Sequence, residues 1–555
     1  MNLPKPYTKN DIQQDITAGL TVLVMLVPQG MAYALLAGLP PVMGLYAATI
    51  PLLIYALLGT SRHLAVGPVA MASILIYTGV SALAEPMSES YITLVLILTL
   101  MVGVLQLALG LINAGALIKF VSQSVISGFT SAVAIIIGMS QLGSFFGISM
   151  PSENQLIPLF TAFVQNVDGI HWPTALVGLI SLVLLVTIPK FTRRLPVPLL
   201  VTAGTIAAAS FWNLDAQGVA IVGDVPQGFP AFQVPDVSFP ALQILLPTAL
   251  TIALIAMMES LAITKTLAGR DSPPLNVNKE LRAIGSANVI GSLFSAYAVT
   301  GSFSRSAVNH RNGAVSQVSS IVTAVGVIIT LLFFTPLFYY LPQTVLAAII
   351  LAAVAGLINF RVLRKTFAVK PSDGVVWIVT FVSTLTIGMQ WGLLVGVGVS
   401  LCILLNRISH PHIVELGWDA KNRRYVDVNR FDHAVRVPQF ILLRIDARLH
   451  FSNVEYVEKQ IESLIHEKDK ESSRYHIVVD MGGVNDIDTM GITSMERMLH
   501  RYDDGDLTLR FVNVKGPVAD LIDKAGWSER TRRAVFTISL DYYVKQHQPE
   551  QDYMI

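Results

Sequence analysis

The 555 residues contain a single cysteine, Cys402. That excludes an intrachain disulfide and any cysteine-based metal cluster. Charge is equally scarce: charged residues make up 14% of the chain and hydrophobic residues 53%. With a mean hydropathy of +0.59, this is the composition of a polytopic membrane protein rather than of a soluble one. The chain has no glycine-rich loop of the P-loop type, no metal-ligand spacing and no nucleophile–base pair. An enzyme, a cofactor and a bound metal are therefore not expected. The formal net charge of +1 carries no information about nucleic acid, because the charges are unevenly spread, and no nucleic-acid partner is expected. Lys and Arg are also missing altogether from two long stretches, 147–171 and 212–244.

Residues 1–410 hold 18 Lys/Arg and 13 Asp/Glu, whereas residues 411–555 hold 20 and 24. The shift in polarity predicts a transmembrane domain over 1–410 and a soluble domain over 411–555. The first 15 residues are polar and the apolar run after them leads into further spans, so no cleavable signal is expected. About fourteen apolar segments follow, near 16–36, 41–58, 68–82, 91–112, 124–146, 172–189, 198–212, 245–265, 283–297, 304–314, 316–338, 344–358, 374–389 and 391–407. Several are shorter than the roughly 20 residues of a full span. Alternation from an inner N-terminus puts Lys5, Lys9, Arg62, Lys119, Lys190, Arg193, Arg194, Arg270, Lys279, Arg282, Arg311, Arg361, Arg364, Lys370 and Arg407 inside, among others. The two stretches without Lys or Arg then lie outside. This positive-inside pattern predicts a multi-pass protein of the plasma (inner) membrane with both termini in the cytoplasm.

Within the segments one base remains, Arg305, and one acid clearly remains, Glu259 in Leu254-Ile-Ala-Met-Met-Glu-Ser-Leu261. Charges at membrane depth are costly, and they mark sites by default. The blander alternative is a structural ion pair, or an Arg305 near the inner headgroups. Arg305 sits in Thr300-Gly-Ser-Phe-Ser-Arg-Ser-Ala-Val-Asn309, where Gly301-Ser302 cannot be comfortable helix interior. A helix starting there, with Ser304, Arg305 and Ser306 in its first turn, aims unpaired N–H groups and a positive dipole end at what precedes it. With Arg305 added, the natural guest is an anion. Val66-Gly-Pro-Val-Ala-Met-Ala-Ser73 echoes this pattern seven segments earlier. An odd offset inverts membrane orientation, which is the mark of an inverted repeat with broken helices around a midplane site. Two kinked helices packed through small residues are the alternative. In Val27-Pro-Gln-Gly-Met-Ala-Tyr-Ala34, Pro28 kinks the first segment. Gln29 and Tyr33 share a face there, either toward the same cavity or as a helix–helix contact and an interfacial anchor.

Val27–Tyr46 (VPQGMAYALLAGLPPVMGLY), Gly59–Pro68 (GTSRHLAVGP), Asn278–Gly285 (NKELRAIG) and Gly301–Asn309 (GSFSRSAVN) resemble, in order, the motifs of the SulP (sulfate permease, solute carrier 26) anion transporters. Arg407-Ile-Ser-His-Pro-His-Ile413 is similar to the junction before that family's STAS domain. The resemblance is to bacterial-type members, and it covers nearly the whole chain. It implies a membrane α-helical fold of two inverted seven-segment repeats, divided into core and gate subdomains and followed by a cytoplasmic α/β STAS domain. It also implies a homodimer. By motif, the substrate contacts would be Gln29, Tyr33, Val69, Ala70, Ser304, Arg305 and Ser306. Glu259 resembles the eighth-segment carboxylate of proton-coupled members. Sodium-coupled bicarbonate members carry an Asp there with threonines nearby, and Thr264 is poorly spaced for that role. Protonation of Glu259 would remove its charge and let a mobile element cross with the anion.

Residues 414–545 read as strands alternating with helices, a small α/β sandwich. The expected strands are Phe440–Ile445, Tyr475–Asp480 and Leu507–Val514. The expected helices are Asn453–Glu467, Gly491–Tyr502 and Val518–Lys524. DIDTMG at 486–491 and VNVKGPVADLIDKAGW at 512–527 resemble the STAS domain. Thr489 stands where anti-sigma-factor antagonists carry a phosphorylated residue, and a helix cap is its alternative role. His410 and His412 read as linker residues. The leading expectation is secondary active transport of sulfate or another small anion with protons. The alternatives are sodium-coupled bicarbonate transport, proton-coupled dicarboxylate transport, a nucleobase transporter (which would not need Arg305), a membrane-anchored STAS signalling protein and a passive anion channel.

Overall fold

The computed structural model describes residues 7–113, 115, 121–151, 155–191, 197–267, 276–468, 475–502 and 507–547. Lys5, Lys119, Arg193, Arg194 and Arg270 of the basic-residue alternation lie outside the described residues. The chain forms two compact units, Met1–Ser400 and Leu401–Ile555.

The first unit is helical. Its elements are α1 (Lys9–Leu36), α2 (Pro41–Tyr46), α3 (Ile50–Leu58), β1 (Val66–Gly67), α4 (Ala70–Val80), α5 (Glu89–Leu111), α6 (Gln123–Phe146), α7 (Leu156–Gln165), α8 (Trp172–Phe191) and α9 (Val197–Phe211). The second half continues with α10 (Phe239–Leu267), α11 (Val277–Ser292), β2 (Thr300–Gly301), α12 (Phe303–Arg311), α13 (Val318–Ile329), α14 (Gln343–Ala355), α15 (Phe360–Val369), α16 (Pro371–Ile387) and α17 (Met389–Ser409), whose last residues, from Leu401 on, fall in the second unit. All fourteen expected segments have a helical counterpart. The short α7 and α15 were not expected. Among the described residues, nine helical stretches are long and apolar enough to cross a membrane.

The packing repeats itself under a seven-segment offset. α1 against α13 has its counterpart in α5 against α10, and α6 against α16 has its counterpart in α8 against α14. Two bundles result: α1–α5 with α10–α13, and α6–α9 with α14–α17. These are the core and gate halves of an inverted repeat. Close crossings are bought with glycine. A Cβ at Gly44 would strike the backbone of Gly30, so α2 can cross α1 backbone to backbone just where α1 carries Gln29 and Tyr33. On the gate, Leu176, Leu179, Ile180 and Val183 of α8 are exposed apolar side chains, as expected of a lipid-facing surface rather than a wet one.

The second unit holds a five-stranded sheet in the order β4-β3-β5-β6-β7, made of β3 (Ile413–Asp419), β4 (Arg424–Asp427), β5 (Phe440–Ile445), β6 (Tyr475–Asp480) and β7 (Leu507–Val512). β5, β6 and β7 pair in parallel, and β3 adds antiparallel to both β4 and β5. Alternation along β5 sends Ile441, Leu443 and Ile445 to one face and Phe440 and Leu442 to the other. The first face is covered by α18 (Val454–Lys468), α19 (Thr489–Arg501) and α20 (Gly516–Lys524). After the short α21 (Glu529–Arg532), α22 (Leu540–His547) covers the second through Leu540, Tyr543 and Val544. The strands at 440–445 and 475–480 match their expectation, β7 ends two residues short of its expected end, and the β3–β4 hairpin was not foreseen.

Candidate anion site

The site grows from a two-residue ladder. β1 and β2 pair antiparallel, Val66 with Gly301 and Gly67 with Thr300. The chain therefore leaves β1 and β2 in opposite directions, α4 one way and α12 the other, with the two helix N-termini flanking the ladder. Such a short ladder leaves buried backbone groups unpaired, and side chains take them up. Ser260 Oγ accepts from Gly301 N at 3.0 Å, and Thr300 Oγ1 donates to Ala256 O at 2.8 Å. Asn288 accepts from Val299 N at 2.8 Å and donates to Val299 O at 3.1 Å. Ser302 N donates to Ala65 O at 3.0 Å, and Ala65 N donates to Ser306 Oγ at 2.9 Å. Gln317 Nε2 holds Ser61 O and Leu64 O, and Asn309 Nδ2 holds His63 O.

Neither helix start is capped. Val69 precedes α4 and Ser302 precedes α12, and neither side chain bonds back to the first turn. The first-turn N–H groups have no carbonyl of their own helix to bind.

Arg305 is fully buried in that first turn of α12. Its Nη2 donates to Pro68 O at 2.7 Å. Nη1 reaches Gln29 Oε1 at only 3.5 Å, beyond ordinary hydrogen-bond length. Its Nε is buried without a partner. Among the described residues no carboxylate forms an ion pair with it. Tyr33, Tyr297 and Glu259 are the groups that act on it electrostatically. Glu259, on α10, is half-buried, with Oε2 lacking any partner. It borders a cavity of about 370 Å³ together with Met71 of α4 and Phe303 of α12; the opposite wall includes Gln123, Ser127 and Thr130 of α6 and Asn359 before α15.

The fold thus brings Gln29, Tyr33, Val69, Ala70 and Arg305 to one place, all of them buried. Ser304 is exposed, with its Oγ 3.3 Å from Ser302 Oγ. Ser306 is buried, and its Oγ already accepts from Ala65 N, so it braces the ladder. Thr489, in the other unit, is the exposed first residue of α19. The capping role belongs to Asp488, which accepts from Gly491 N at 2.8 Å.

Sequence reasoning missed Tyr297 and Ser73, whose buried hydroxyls interact with each other beyond ordinary hydrogen-bond length; Ser73 closes the 66–73 echo, the one signal that pointed to it. Glu259 is also not the only acid within a helix. Asp15 and Glu280 are fully buried in α1 and α11, because these helices extend beyond their apolar runs. Both are satisfied structurally. Asp15 accepts from Val315 N at 2.8 Å, from Ser316 and from Tyr7. Glu280 accepts from Tyr55 and Thr60.

Residues 12–380 match the sulfate permease family and residues 433–537 the STAS domain. Sulfate transporter 4.1, chloroplastic, of Arabidopsis thaliana is 36% identical over 540 residues, covering 94% of this chain and 78% of its own. High affinity sulfate transporter 2 of Stylosanthes hamata is 33% identical, covering 92% and 80%. Among solved structures, murine Solute Carrier 26 family member A9, an anion transporter in the inward-facing state, superposes with a TM-score of 0.88 at 26% identity, covering 98% of this chain and 92% of the other. The transmembrane domain of a cyanobacterium bicarbonate transporter matches with a TM-score of 0.59 at 22% identity over 71% of this chain and 98% of the other, a likeness of fold.

Proposed function

The chain belongs to the sulfate permease family, and we propose from that membership and from the α4–α12 gap that it is a secondary active transporter of a small anion, sulfate first, coupled to protons. The single observation behind the site is Arg305. It is a buried cation with one donor on Pro68 O, one donor unpartnered and, among the described residues, no acid paired to it. Two uncapped helix N-termini flank it, and their dipoles favour negative charge. A fixed cation beside two sets of free N–H groups offers more to an oxyanion than to a neutral guest. Gln29 and Tyr33 would add an amide and a hydroxyl.

Sulfate is favoured among anions because relatives aligned over more than nine-tenths of the chain carry sulfate in their names. Proton coupling is favoured over sodium coupling by two observations. Glu259 Oε2 has no partner, and Thr264, five residues after Glu259, does not share its helix face. Protonated Glu259 would leave the site positive and able to carry the anion. Its deprotonation, once the cavity faces the interior, would repel the anion and compete for Arg305. The core would move against the gate around a fixed site. The proposed setting is the plasma membrane, with both termini and residues 411–555 in the cytoplasm and the protein acting as a homodimer. Sodium-coupled bicarbonate and proton-coupled dicarboxylate transport remain the second reading, since pocket chemistry of this kind accepts any small oxyanion.

The test is radiolabelled uptake into proteoliposomes of sulfate, bicarbonate, fumarate and succinate at two pH values, with and without sodium. Acid-stimulated, sodium-independent sulfate accumulation is expected. Voltage-set currents without proton coupling would mark a passive channel. Absence of any uptake would leave a membrane-anchored signalling protein, whereas uptake retained on deleting residues 411–555 would place transport in the membrane unit.

A further inference from the structure

The wall opposite Glu259 in the 370 Å³ cavity belongs to the gate, and among the described residues it carries donors but no acid. Ser127 Oγ accepts from Trp377 Nε1 at 3.1 Å. Trp377 is itself 1% exposed and stacked on Phe381, so the acceptor side of the hydroxyl is fixed. Among the described residues the Ser127 hydrogen has no acceptor. A serine that has accepted one bond still has a proton to give. Asn359 caps α15: its Oδ1 accepts from Val362 N at 3.3 Å, and its backbone N is held by Ser131 Oγ at 3.2 Å. With the oxygen committed, the two Nδ2 hydrogens of this exposed residue have no acceptor among the described residues. Gln123, one turn before Ser127, adds a third donor on the same face of α6 as Ser127. It is the first residue of that helix. Two gate helices, α6 and α15, thus begin at this wall, and their N-terminal dipoles favour negative charge.

We infer that Ser127 and Asn359, flanked by Gln123, form a gate-side release subsite for the transported oxyanion. It would receive the anion as the core hands it from Arg305 past Glu259 toward the interior. The inference rests on the proposed transport reading and deepens it. The core supplies a cation and tight hydrogen bonds, whereas the gate wall supplies neutral donors only. Neutral donors bind an anion weakly, and a weak second site lets it leave. The wall also solves an electrostatic problem. An anion passing a deprotonated Glu259 needs donors on its far side, and Ser127 and Asn359 are the uncommitted ones there.

The experiment compares sulfate KM from each face of the membrane, using right-side-out and inside-out vesicles carrying the full chain. Asn359→Asp keeps an oxygen cap on α15, since Asp and Asn cap equally well, but replaces two donors with a negative charge. It is expected to raise the inner-face KM by about tenfold while leaving the outer-face KM unchanged. Ser127→Ala should act in the same direction more weakly, and Ser127→Thr should restore the wild-type value. Equal inner-face KM in wild type, Asn359→Asp and Ser127→Ala would overturn the subsite and leave the transport reading standing. A matching loss at both faces would overturn it too, as the mark of a distorted gate. Wild-type vesicles that move no sulfate from either face would overturn the transport reading itself, and this inference with it.

Discussion

Arg305 Nη2 donates to the carbonyl oxygen of Pro68 at 2.7 Å, tying the first turn of α12 to the residue just before the cap of α4. One hydrogen bond thus joins the two broken helices of the two repeats. It uses one arm of the guanidinium and leaves Nε without a partner.

That arrangement depends on the absence of a side chain at Gly67. A Cβ there would lie 3.3 Å from Nη2, tighter than an ordinary contact. Gly67→Ala should displace the guanidinium and raise the KM for sulfate several-fold. The cost in stability should be about 1 kcal/mol, the usual size for one substitution. Uptake kinetics beside thermal unfolding in detergent would check this. Wild-type kinetics would mean that the guanidinium position is not set by this approach.

Glu259→Gln should permit sulfate exchange but lose pH-driven accumulation, because the neutral amide resembles the protonated acid and cannot release a proton. Counterflow and acid-driven uptake, measured on the same proteoliposomes, separate these. Full acid-stimulated accumulation by the variant would remove Glu259 from the coupling.

Asn288 closes both backbone groups of Val299 just ahead of β2. Asn288→Leu leaves a buried N–H and a buried C=O unmet, at about 1–3 kcal/mol each. The expected outcome is a lower unfolding temperature together with weaker sulfate uptake, since the ladder that aims α12 loses its support. Unchanged hydrogen exchange over residues 297–301 would contradict this.

In the second unit, burial pushes the His476 imidazole below its ordinary value, and the charges of His547 and Arg510 act in the same direction. The ring stacks on Phe440 and shares a 2.8 Å hydrogen bond with Thr508. The unfolded chain then binds more protons than the folded one near the ordinary histidine value of about 6.5. Stability from this group is present above that value and is lost as pH falls below it. Protection factors of the β6 and β7 amides in the full-length protein, with the base-catalysed intrinsic rate divided out, should fall between about pH 7 and pH 5.5, and His476→Gln should flatten that dependence.

Much of this layout is legible in the chain itself, for physical reasons. A lone arginine among apolar residues, next to Gly-Ser, cannot hide in a sequence, and neither can its echo at 66–73. The parallel strands 440–445 and 475–480 announce themselves by the apolar stretches Phe440–Leu443 and Ile477–Val479, which are buried on both faces. Other features need the fold. Asp15 and Glu280 lie in polar flanks of their apolar runs, and only the packed structure reveals what pairs with them. Ser306 looks like a ligand from its place in the motif, and only the fold shows that its oxygen also accepts from a backbone N–H 241 residues away. α15 is amphipathic with basic residues, so hydropathy alone passes it over. Tyr297 is one tyrosine among many until its neighbours are known.

The central claim is that the anion is held at Arg305, and equilibrium binding of radiolabelled sulfate to purified full-length Arg305→Ala tests it most directly. Arg305→Lys serves as a charge-retaining comparison that lacks the forked donors. Both variants should unfold cooperatively. Arg305→Ala should bind sulfate at least about tenfold more weakly than wild type, the size expected for loss of a charged hydrogen-bond partner, and Arg305→Lys should fall between the two. Wild-type sulfate affinity in a folded Arg305→Ala protein would contradict the account.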